Sequence, residues 1–392
     1  MVNERDFSIG IILKFSSLEQ LFYQKKFFIE TLCKNFKKFY FINTLNLEST
    51  KNNFKYNSKN FKKILPKNSV LIDPITKKDF DNFCSNKKLV LFANLGYEWK
   101  DIGIHFLLKK NKCRLIFAAN VGNQQGSEIH SVSSFLTQFF FKFIPRKIVL
   151  LLSFMGLVPK IDIRFVSNFK TYKALLYLQN RIFYKTFSLF YNKKIYLVNS
   201  MAFDEFKTSK RKPLSKNIVM VDTNINHNDQ VRFSGRISNH DVIKIYKELN
   251  IFLKQVSKVY DKKIIVCVHP SSDLKFVKKM MREFKVVKYQ TKKHIFNAFI
   301  VFFYESASIV DAFASNKRIV TLQNDLMGQG WINQIQRYPK ISGIQKINIT
   351  NGYNINNKMD FLKKLDISRN SRKFKNFVKL NVKGDGDQVG TF

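Results

Sequence analysis

Acidic residues, glycine and proline are all scarce in this chain. Only 28 Asp and Glu stand against 68 Lys and Arg, so the formal net charge is +40 over 392 residues. The counts of 14 Gly and 7 Pro fall well below the usual shares of about 7% and 5%, which excludes collagen-like and Gly- or Pro-rich low-complexity chains. Hydrophobic residues make up 45% of the chain, which excludes general disorder. A chain of this length predicts two or three domains with ample core.

Cysteine is also rare. The four cysteines, Cys33, Cys84, Cys113 and Cys267, form no close pair along the sequence. That spacing favours neither a disulfide framework nor a metal site, so we expect reduced thiols and no metal. The chain starts with MVNERDFSIGIILKF, in which acidic residues precede a short apolar run, unlike a secretory signal. We therefore expect a cytoplasmic protein.

No hydrophobic run is long enough to cross a bilayer. The longest region, residues 135–165, has an uncharged core of 12 residues, 148–159, whereas a spanning helix needs about 20. The basic residues Lys142, Arg146 and Lys147 lie among phenylalanines just before this core. Mixed aromatic, apolar and basic residues are typical of a segment lying in a membrane interface. A buried helical hairpin is the alternative interpretation, and both stay open.

The positive charge favours polyanionic partners, but not nucleic acid. The basic residues are spread along the whole chain instead of forming one arm. The sequence has no zinc-finger spacing, no RNA-binding aromatic signature and no obvious basic recognition helix, so we do not expect nucleic acid as a partner. An anionic membrane surface or an anionic substrate fits the charge better, and we expect peripheral association with the inner face of the membrane.

Short apolar runs alternate with helical patterns, which predicts parallel strands joined by crossover helices. Predicted strands of the first half cover 8–13, 39–43, 69–73, 88–96, 113–120 and 194–200. Those of the second half cover 217–222, 263–268, 284–289, 299–303 and 318–323, with a strongly periodic helix over 242–260. The sequence therefore predicts an α/β protein with two doubly wound, Rossmann-like domains facing a cleft.

A polar, basic stretch divides the two series of strands. Residues 207–216, KTSKRKPLSK, are a linker candidate. We therefore assign 1–206 to an N-terminal α/β domain that carries the apolar basic segment 135–165. We assign 217–355 to a C-terminal α/β domain, and 356–392 to a basic C-terminal helix and tail. Ligands of doubly wound sheets bind at the carboxyl ends of the strands.

The first candidate site follows the strand KIIVCV. His269 and Pro270 end this strand, and two serines come next. Pro270 lacks a backbone donor and has a fixed φ, so the chain must leave the sheet there. Ser271 or Ser272 is expected to cap the following helix. The alternative is a histidine that only forms part of a turn.

The second candidate site is the turn in FIVFFYESASIVDAFASNKRIV, residues 299–320. A helix is predicted to begin near Ser306 to Ser308, and a helix N-terminus attracts phosphate. Ser306 and Ser308 add hydroxyl donors, Ala307 permits close approach, and Glu305 could accept from sugar or ribose hydroxyls. The alternative is simple capping by Ser306 beside a solvated Glu305.

Together, VHPSS and YESASIVDAFASNKRIV resemble the C-terminal half of glycosyltransferase-B-fold enzymes from bacterial capsule and surface-polysaccharide synthesis. The pair is similar to the His-Pro and Ser-Ser/Thr motifs of bacterial sialyltransferases and, more loosely, to glycerol-phosphate polymerases of teichoic acid synthesis. The resemblance covers residues 217–350 and implies that His269, Ser306 and Ser308 contact the donor nucleotide's phosphate. The chain departs from the pattern in having Ser-Ala-Ser instead of adjacent serines, and no acidic motif matches the catalytic base.

Glycosyl transfer needs stabilisation of the leaving phosphate and a carboxylate that deprotonates the acceptor hydroxyl. We expect no metal and no cofactor, so His269, basic residues and the helix dipole would stabilise the leaving group. The base is expected in the first half, and each candidate has an ordinary loop charge as its alternative. The base candidates are Glu98, Asp101, Glu128 and His130, and further cleft candidates are Asn94, Gly96, Asn120, Gly122, Asn123 and Asp222.

The resemblance implies a glycosyltransferase that moves a sugar from a nucleotide-activated donor to a growing surface glycan. The expected partners are the nucleotide-sugar, a glycan or lipid-linked acceptor, and the anionic membrane surface. Two alternatives stay open. One is a nucleotide-sugar 2-epimerase of the same fold, and the other is a non-catalytic protein that binds polyanions or membranes.

Overall fold

The computed structural model describes residues 8–13, 29–31, 33–36, 38–44, 47, 65–93, 101–119, 148–149, 151–152, 155–159, 161–167, 194–209, 217–226, 231, 235–353, 355 and 357–383. These residues belong to two compact units. Among them, those up to Val198 form the first unit, and those from Asn199 onward form the second.

The first unit is built on a seven-stranded sheet with strand order β3-β2-β1-β4-β5-β6-β7. All of its paired strands run parallel. Strands β2 and β3 lie on one side of β1, and strands β4 to β7 follow on its other side, which is a doubly wound order. The strands are β1 Ser8–Leu13, β2 Phe39–Asn43, β3 Ser69–Ile72, β4 Leu89–Ala93, β5 Arg114–Ala119, β6 Ile161–Val166 and β7 Lys194–Leu197.

Two helices of the first unit, α1 (Lys77–Ser85) and α2 (Ile102–Lys110), pack against each other. A capping box starts α1, in which Asp79 N–H donates to the Thr76 hydroxyl and Thr76 N–H donates to the Asp79 carboxylate. This reciprocal pair satisfies two backbone donors that a helix start leaves without partners. Buried residues of both helices join the strands in one core.

Glycine is required at one position of the first sheet. A Cβ atom on Gly10 of β1 would lie 2.8 Å from the carbonyl oxygen of Tyr40 on β2. Gly10 pairs with Tyr40 in the strand register, so any larger residue would push β1 and β2 apart.

The second unit is built on a six-stranded parallel sheet with strand order β10-β9-β8-β11-β12-β13. The strand order reverses between β8 and β11, so the crevice that binds ligands in this fold class opens at their carboxyl ends. The strands are β8 Asn217–Val221, β9 Lys263–Val268, β10 Lys285–Lys288, β11 Ile300–Phe303, β12 Arg318–Gln323 and β13 Gln345–Asn348.

Helices cover both faces of this second sheet. Two separate hydrophobic clusters, one on each face, are filled by alternate residues of the strands, as in Ile218 and Met220 against Val219 and Val221. The described helices are α3 Met201–Thr208, α4 Asn239–Tyr260, α5 Leu274–Met280, α6 Thr291–Phe296, α7 Ile309–Ala314, α8 Gly328–Ser342, α9 Lys358–Asn370 and α10 Arg372–Asn381.

The predicted doubly wound α/β architecture is confirmed, including the helical face within 242–260. On that helix, Ile245, Tyr246, Leu249, Phe252, Leu253, Val256 and Tyr260 are buried, and Val242 is partly buried. The predicted linker 207–216 lies mostly outside the described residues. Its first two residues, 207 and 208, belong to helix α3, which packs against α7 in the second unit.

Two strands were not predicted. Strand β6 occupies the end of the segment 135–165, which was expected to be interfacial or helical, and β13 follows α8. Charged or polar residues interrupt the apolar pattern of both strands, and β13 has only 4 residues. Residues 135–147 lie outside the described residues. No helix in the described ranges is long and apolar enough to span a membrane.

The cysteines are buried and free, as expected for Cys113 and Cys267. The neighbouring Cys113 and burial raise the pKa of the Cys84 thiol.

Candidate functional site

The carboxyl edge of the second sheet gathers the polar turns that the sequence singled out. The turn at His269 follows β9, and the serine turn at Ser306 to Ser308 follows β11. Strand β8 lies between β9 and β11 and pairs with both. The two turns therefore lie on either side of the end of β8, where the strand order reverses.

His269 is held by its own turn. The backbone N–H of Ser272 donates to the carbonyl oxygen of His269 at 2.9 Å. The ring nitrogen Nδ1 lies 2.6 Å from the hydroxyl of Ser271 and accepts from the Ser271 N–H at 3.2 Å. His269 and Pro270 are half-buried, so the imidazole lies at the protein surface and not in the core.

The expected cap of the next helix is wrong. Asp273 is the N-cap of α5, and its carboxylate accepts from the backbone N–H groups of Lys275 and Phe276. Ser271 is exposed and bonds to the imidazole, whereas Ser272 is buried. Asp273 can cap because it directly precedes the helix, and Ser271 is left to contact His269.

Three successive residues follow β8: the first bonds to helix α4, and the other two connect the histidine turn and the serine turn. Asp222 accepts from the Tyr246 hydroxyl at 2.9 and 3.0 Å. Thr223 donates its hydroxyl proton to the backbone carbonyl of Glu305 in the serine turn. Asn224 donates to the carbonyl and the hydroxyl of Ser271 in the histidine turn. The end of β8 thus holds both turns in a fixed relation.

The serine turn is a short connection into α7. The backbone N–H of Ser308 donates to the Ser306 hydroxyl at 3.2 Å, and Ser308 occupies the N-cap position without making a side-chain cap bond. Both serines are half-buried and Ala307 is exposed. Glu305 is buried, so the alternative of a solvated Glu305 is wrong. The Ser308 hydroxyl is therefore not occupied by helix capping.

A lysine that the sequence did not single out lies beside the histidine turn. Lys288 ends β10, and its Nζ donates to the carbonyl oxygen of Ser272 at 3.3 Å. Its ammonium group also lies 5.4 Å from the centre of the Tyr289 ring. This contact holds a positive charge at the carboxyl edge, which favours an anionic ligand there.

Asp222 is a buried acid. Burial raises its pKa from the ordinary value to about 7, and the hydrogen bonds from Tyr246 and from the Thr223 backbone lower it only in part. The hydroxyl of Tyr304 is also buried and has no hydrogen-bond partner. Asp222 therefore changes its charge near neutral pH inside the second unit.

A second buried acid lies in the first turn of α7. Burial raises the pKa of Asp311 to about 7, against the lowering effect of Lys292. The Lys292 ammonium lies 2.6 Å from the Glu205 carboxylate on α3. Burial lowers the pKa of Lys292, but Asp311 and Glu205 outweigh burial and raise it overall. This charged group connects α3, α6 and α7 behind the serine turn.

The candidates of the first unit are only partly within the described residues. Asp101 is almost fully buried and directly precedes α2, so it is no solvated loop charge. The other predicted candidates of the N-terminal half follow β4 and β5 in the sequence, and their roles stay predictions. The candidates outside the described residues are Asn94, Gly96, Glu98, Asn120, Gly122, Asn123, Glu128 and His130.

Two pairs in the chain have Asp-x-Asp spacing, which metal-dependent sugar transfer can use. Asp385 and Asp387 lie outside the described residues. Asp79 belongs to the capping box of α1, and Asp81 accepts from Lys110 and Asn111 at 2.5 and 2.7 Å. Within the described part of the chain, no group of three or more His, Cys, Asp or Glu could hold a metal ion.

Known structures share the architecture of this chain. A protein from Listeria monocytogenes assigned as a UDP-N-acetylglucosamine 2-epimerase superposes with a TM-score of 0.51 and 11% identity, covering 97% of this chain and 93% of that one. The chain has a glycosyltransferase-B-like fold. At this identity, the likeness shows the fold alone. No protein-family model and no curated protein sequence matches the chain.

Two further structures superpose less well, with TM-scores below 0.5. They are a UDP-GlcNAc 2-epimerase from Methanocaldococcus jannaschii, with a TM-score of 0.48, 13% identity and 94% coverage of both chains, and UGT71G1 from Medicago truncatula in complex with UDP-glucose, with a TM-score of 0.49, 10% identity and coverage of 95% of this chain and 92% of that one.

Three residues at the carboxyl edge of the second sheet were not predicted as site candidates from the sequence. Thr223 and Asn224 directly follow β8, and Lys288 ends β10. The first two could have been found from their position, since polar residues after a central parallel strand lie at the ligand-binding edge. Lys288 gave no such signal, because it is one of many lysines in a strongly basic chain.

Proposed function

We propose that the chain is a glycosyltransferase that moves a sugar from a nucleotide-activated donor to a growing surface glycan at the inner face of the membrane. The observation that carries the proposal is the pair of turns around the end of β8. His269 and the serines 306 and 308 flank one strand end in a fold whose ligands bind at that edge.

The chemistry of the edge supports phosphate binding. The serine hydroxyls and the imidazole offer hydrogen-bond donors, and Lys288 offers a positive charge beside them. Donors fixed in advance stabilise the charge that develops on a leaving phosphate without reorganising during the reaction. The carboxylate that deprotonates the acceptor is proposed among Glu98 and Asp101 of the first unit.

A 2-epimerase is the second candidate. It is favoured by the Listeria monocytogenes structure, since that protein is assigned as a UDP-N-acetylglucosamine 2-epimerase. Such an enzyme would use the same phosphate contacts but would need carboxylates at the sugar ring and no glycan acceptor. A non-catalytic polyanion- or membrane-binding protein would bind no nucleotide at all.

Membrane association is proposed for the segment around residues 148–157. Four large apolar side chains are exposed there, namely Ile148, Leu151, Met155 and Leu157, at 41%, 56%, 65% and 45% of their full area. Basic residues precede them in the sequence. Apolar side chains beside basic ones favour an anionic membrane interface.

Two measurements test the proposed activity. The first is a thermal-shift screen with CMP, UDP, GDP and their sugars, because a ligand of the folded state raises apparent stability by about 2.7 kcal/mol at a hundredfold excess over its Kd. The second is NMR of the sugar products with and without a lipid-linked acceptor. Acceptor-dependent release of nucleotide supports the transferase, and a C2-inverted nucleotide-sugar formed without acceptor supports the epimerase. If no nucleotide shifts the transition, both enzyme proposals are wrong.

A further inference from the structure

A chain of hydrogen bonds leads from the end of β8 to His269. Asn224 Nδ2 lies 3.2 Å from the carbonyl oxygen and 3.1 Å from the hydroxyl of Ser271. The Ser271 hydroxyl lies 2.6 Å from His269 Nδ1, and the Ser271 backbone N–H donates to the same nitrogen at 3.2 Å. Asn224 and Ser271 are 47 residues apart in sequence.

Two backbone groups determine which atom donates and which accepts in each of these hydrogen bonds. A carbonyl oxygen only accepts, so Asn224 must turn its NH₂ group, and not its oxygen, toward Ser271. The Ser271 hydroxyl accepts from that NH₂ group and keeps its own proton for another partner. A backbone N–H only donates, so His269 Nδ1 must be an acceptor. The hydroxyl proton of Ser271 is therefore directed at Nδ1 as well.

The consequence is one defined tautomer. A neutral imidazole carries a single proton, and an Nδ1 that accepts leaves this proton on Nε2. In the opposite tautomer, Nε2 would present a lone pair, which repels an anionic oxygen instead of donating to it. The tautomer thus decides whether His269 can contact a phosphate productively.

We propose that Asn224 is a positioning residue which, through Ser271, holds His269 with its proton on Nε2, so that Nε2 donates to the phosphate of the bound nucleotide. The phosphate contact rests on the proposed function, whereas the tautomer does not. Asn224 itself touches neither phosphate nor sugar in this arrangement.

The first test is made on the ligand-free protein. Long-range ¹H–¹⁵N spectra of ¹⁵N-histidine-labelled full-length chain distinguish the two tautomers, and the His269 signal is identified by its absence in His269→Gln. We expect the Nε2–H form in the wild type. Asn224→Ala and Ser271→Ala should each increase the share of the Nδ1–H form, because each weakens or removes the 2.6 Å hydroxyl contact and leaves the longer 3.2 Å bond from the Ser271 backbone N–H to hold the tautomer. Ser271→Thr, which keeps the hydroxyl, should retain the wild-type pattern.

A matched control lies two residues along the same loop. Asn226 makes side-chain hydrogen bonds to the backbone of Ile237 at 2.9 and 3.0 Å and none to Ser271. Asn226→Ala therefore removes a similar set of bonds and should leave the His269 tautomer unchanged. A wild-type ring protonated on Nδ1, or a tautomer that Asn224→Ala does not alter, would overturn the proposal.

The second test is a titration with UDP, CMP and GDP, and with inorganic phosphate. Asn224→Ala and Ser271→Ala should each weaken binding about tenfold, and the double variant should be no weaker than the single ones, since both act through the same ring. Additive losses would overturn the relay. If the tautomer responds as expected but no variant alters binding, the phosphate lies elsewhere and the role of Asn224 in phosphate binding is wrong. A wild-type protein that binds none of these nucleotides would instead overturn the proposed function.

Discussion

At the residue scale, substitution of His269 tests whether its turn belongs to an active site or is only a structural turn. The His269 side chain is half-buried and bonds to Ser271 in its own turn. We expect His269→Ala to lower turnover by at least a hundredfold, since removing one hydrogen-bond donor that stabilises developing charge lowers turnover about 10²–10³-fold. The melting temperature should change little.

The exposed His240 at the start of α4 offers a control of the same residue type, and His240→Ala should retain full turnover. Normal turnover in a folded His269→Ala protein would contradict the site.

Substitutions of Ser308 distinguish two roles of its hydroxyl, helix capping and phosphate binding. Its hydroxyl makes no cap bond, so Ser308→Ala should change the free energy of unfolding by less than about 0.5 kcal/mol. Loss of a charge-assisted hydrogen bond should weaken nucleotide binding about tenfold or more. Ser308→Asp should retain the fold, because a carboxylate is favourable near a helix start, but should repel the phosphate. Both effects are measured by urea unfolding and by calorimetric titration.

Ser315, at the other end of α7, is the matched control. Its hydroxyl donates to the Asp311 carbonyl at 2.7 Å, so Ser315→Ala should cost about 1 kcal/mol of stability and leave nucleotide affinity unchanged. Normal affinity in Ser308→Asp would show that the phosphate binds elsewhere.

Asp222 makes stability depend on pH. Its pKa is raised from 3.8 to about 7 in the folded protein, so between about pH 4 and pH 7 the folded state binds more protons than the unfolded state. Stability from this group is therefore full below pH 4 and lost as the pH rises toward 7. Relative to the wild type, Asp222→Asn should gain stability across this window, by at most roughly 4 kcal/mol at about 1.4 kcal/mol per pH unit.

The measurement is urea unfolding of wild type and variant at several pH values. Asp325 should change stability with pH in the opposite direction, because hydrogen bonds from Asn348 and Gln323 hold the pKa of that exposed carboxyl below its usual value. Asp325→Asn should therefore lose stability near neutral pH and approach the wild type in acid. A difference between Asp222→Asn and wild type that stays constant with pH would refute the assignment.

At the element scale, the segment around residues 148–157 is distinguished by what it leaves exposed. Val149 and Val158 are buried, whereas Leu151 and Met155 are more than half exposed. If these side chains enter a membrane interface, Leu151→Gln with Met155→Gln should weaken binding to anionic vesicles about tenfold or more, since burying each apolar side chain contributes about 1.5–3 kcal/mol. Vesicle cosedimentation at physiological salt measures the change.

Ile75→Gln is the control for this pair, because Ile75 is an exposed apolar residue elsewhere in the first unit. It should bind vesicles as the wild type does. Replacing Lys142, Arg146 and Lys147 with Gln should also weaken binding, at about 1 kcal/mol per basic residue. An intact protein that ignores anionic vesicles would exclude the membrane interpretation.

At the scale of the whole molecule, both hydrophobic clusters around the second sheet consist of residues of the second unit. It also carries the histidine turn, the serine turn and Lys288. We therefore expect residues 199–392, produced alone, to unfold cooperatively and to keep nucleotide binding within about tenfold of the full chain. Circular dichroism during urea unfolding and a nucleotide titration check this expectation.

A shorter piece, residues 217–392, is the matched comparison. It lacks α3, whose Ala202 and Phe203 are buried against α7 and its neighbours and whose Glu205 pairs with Lys292. The shorter piece should therefore be less stable by several kcal/mol. If the longer piece fails to fold while the full chain folds, the second unit is not an independent domain.

The sequence by itself determined the local elements and their order. Short apolar runs separated by helical periods predicted most strands and the face of α4, because side-chain period depends only on backbone geometry. It also put His269 and Ser306 at strand ends, where a doubly wound sheet binds ligands. Strands β6 and β13 escaped prediction because polar residues interrupt their apolar pattern.

Only the tertiary structure decided which side chains meet. Asn224 and Ser271 come together because β8 and β9 are parallel neighbours that end at the same edge. Burial raises the pKa of Asp222 although the hydrogen bond from Tyr246 lowers it in part, and Asp273 instead of a serine caps α5. Hydrogen bonds and desolvation act over a few ångströms between residues that are distant in sequence, so local pattern cannot predict them.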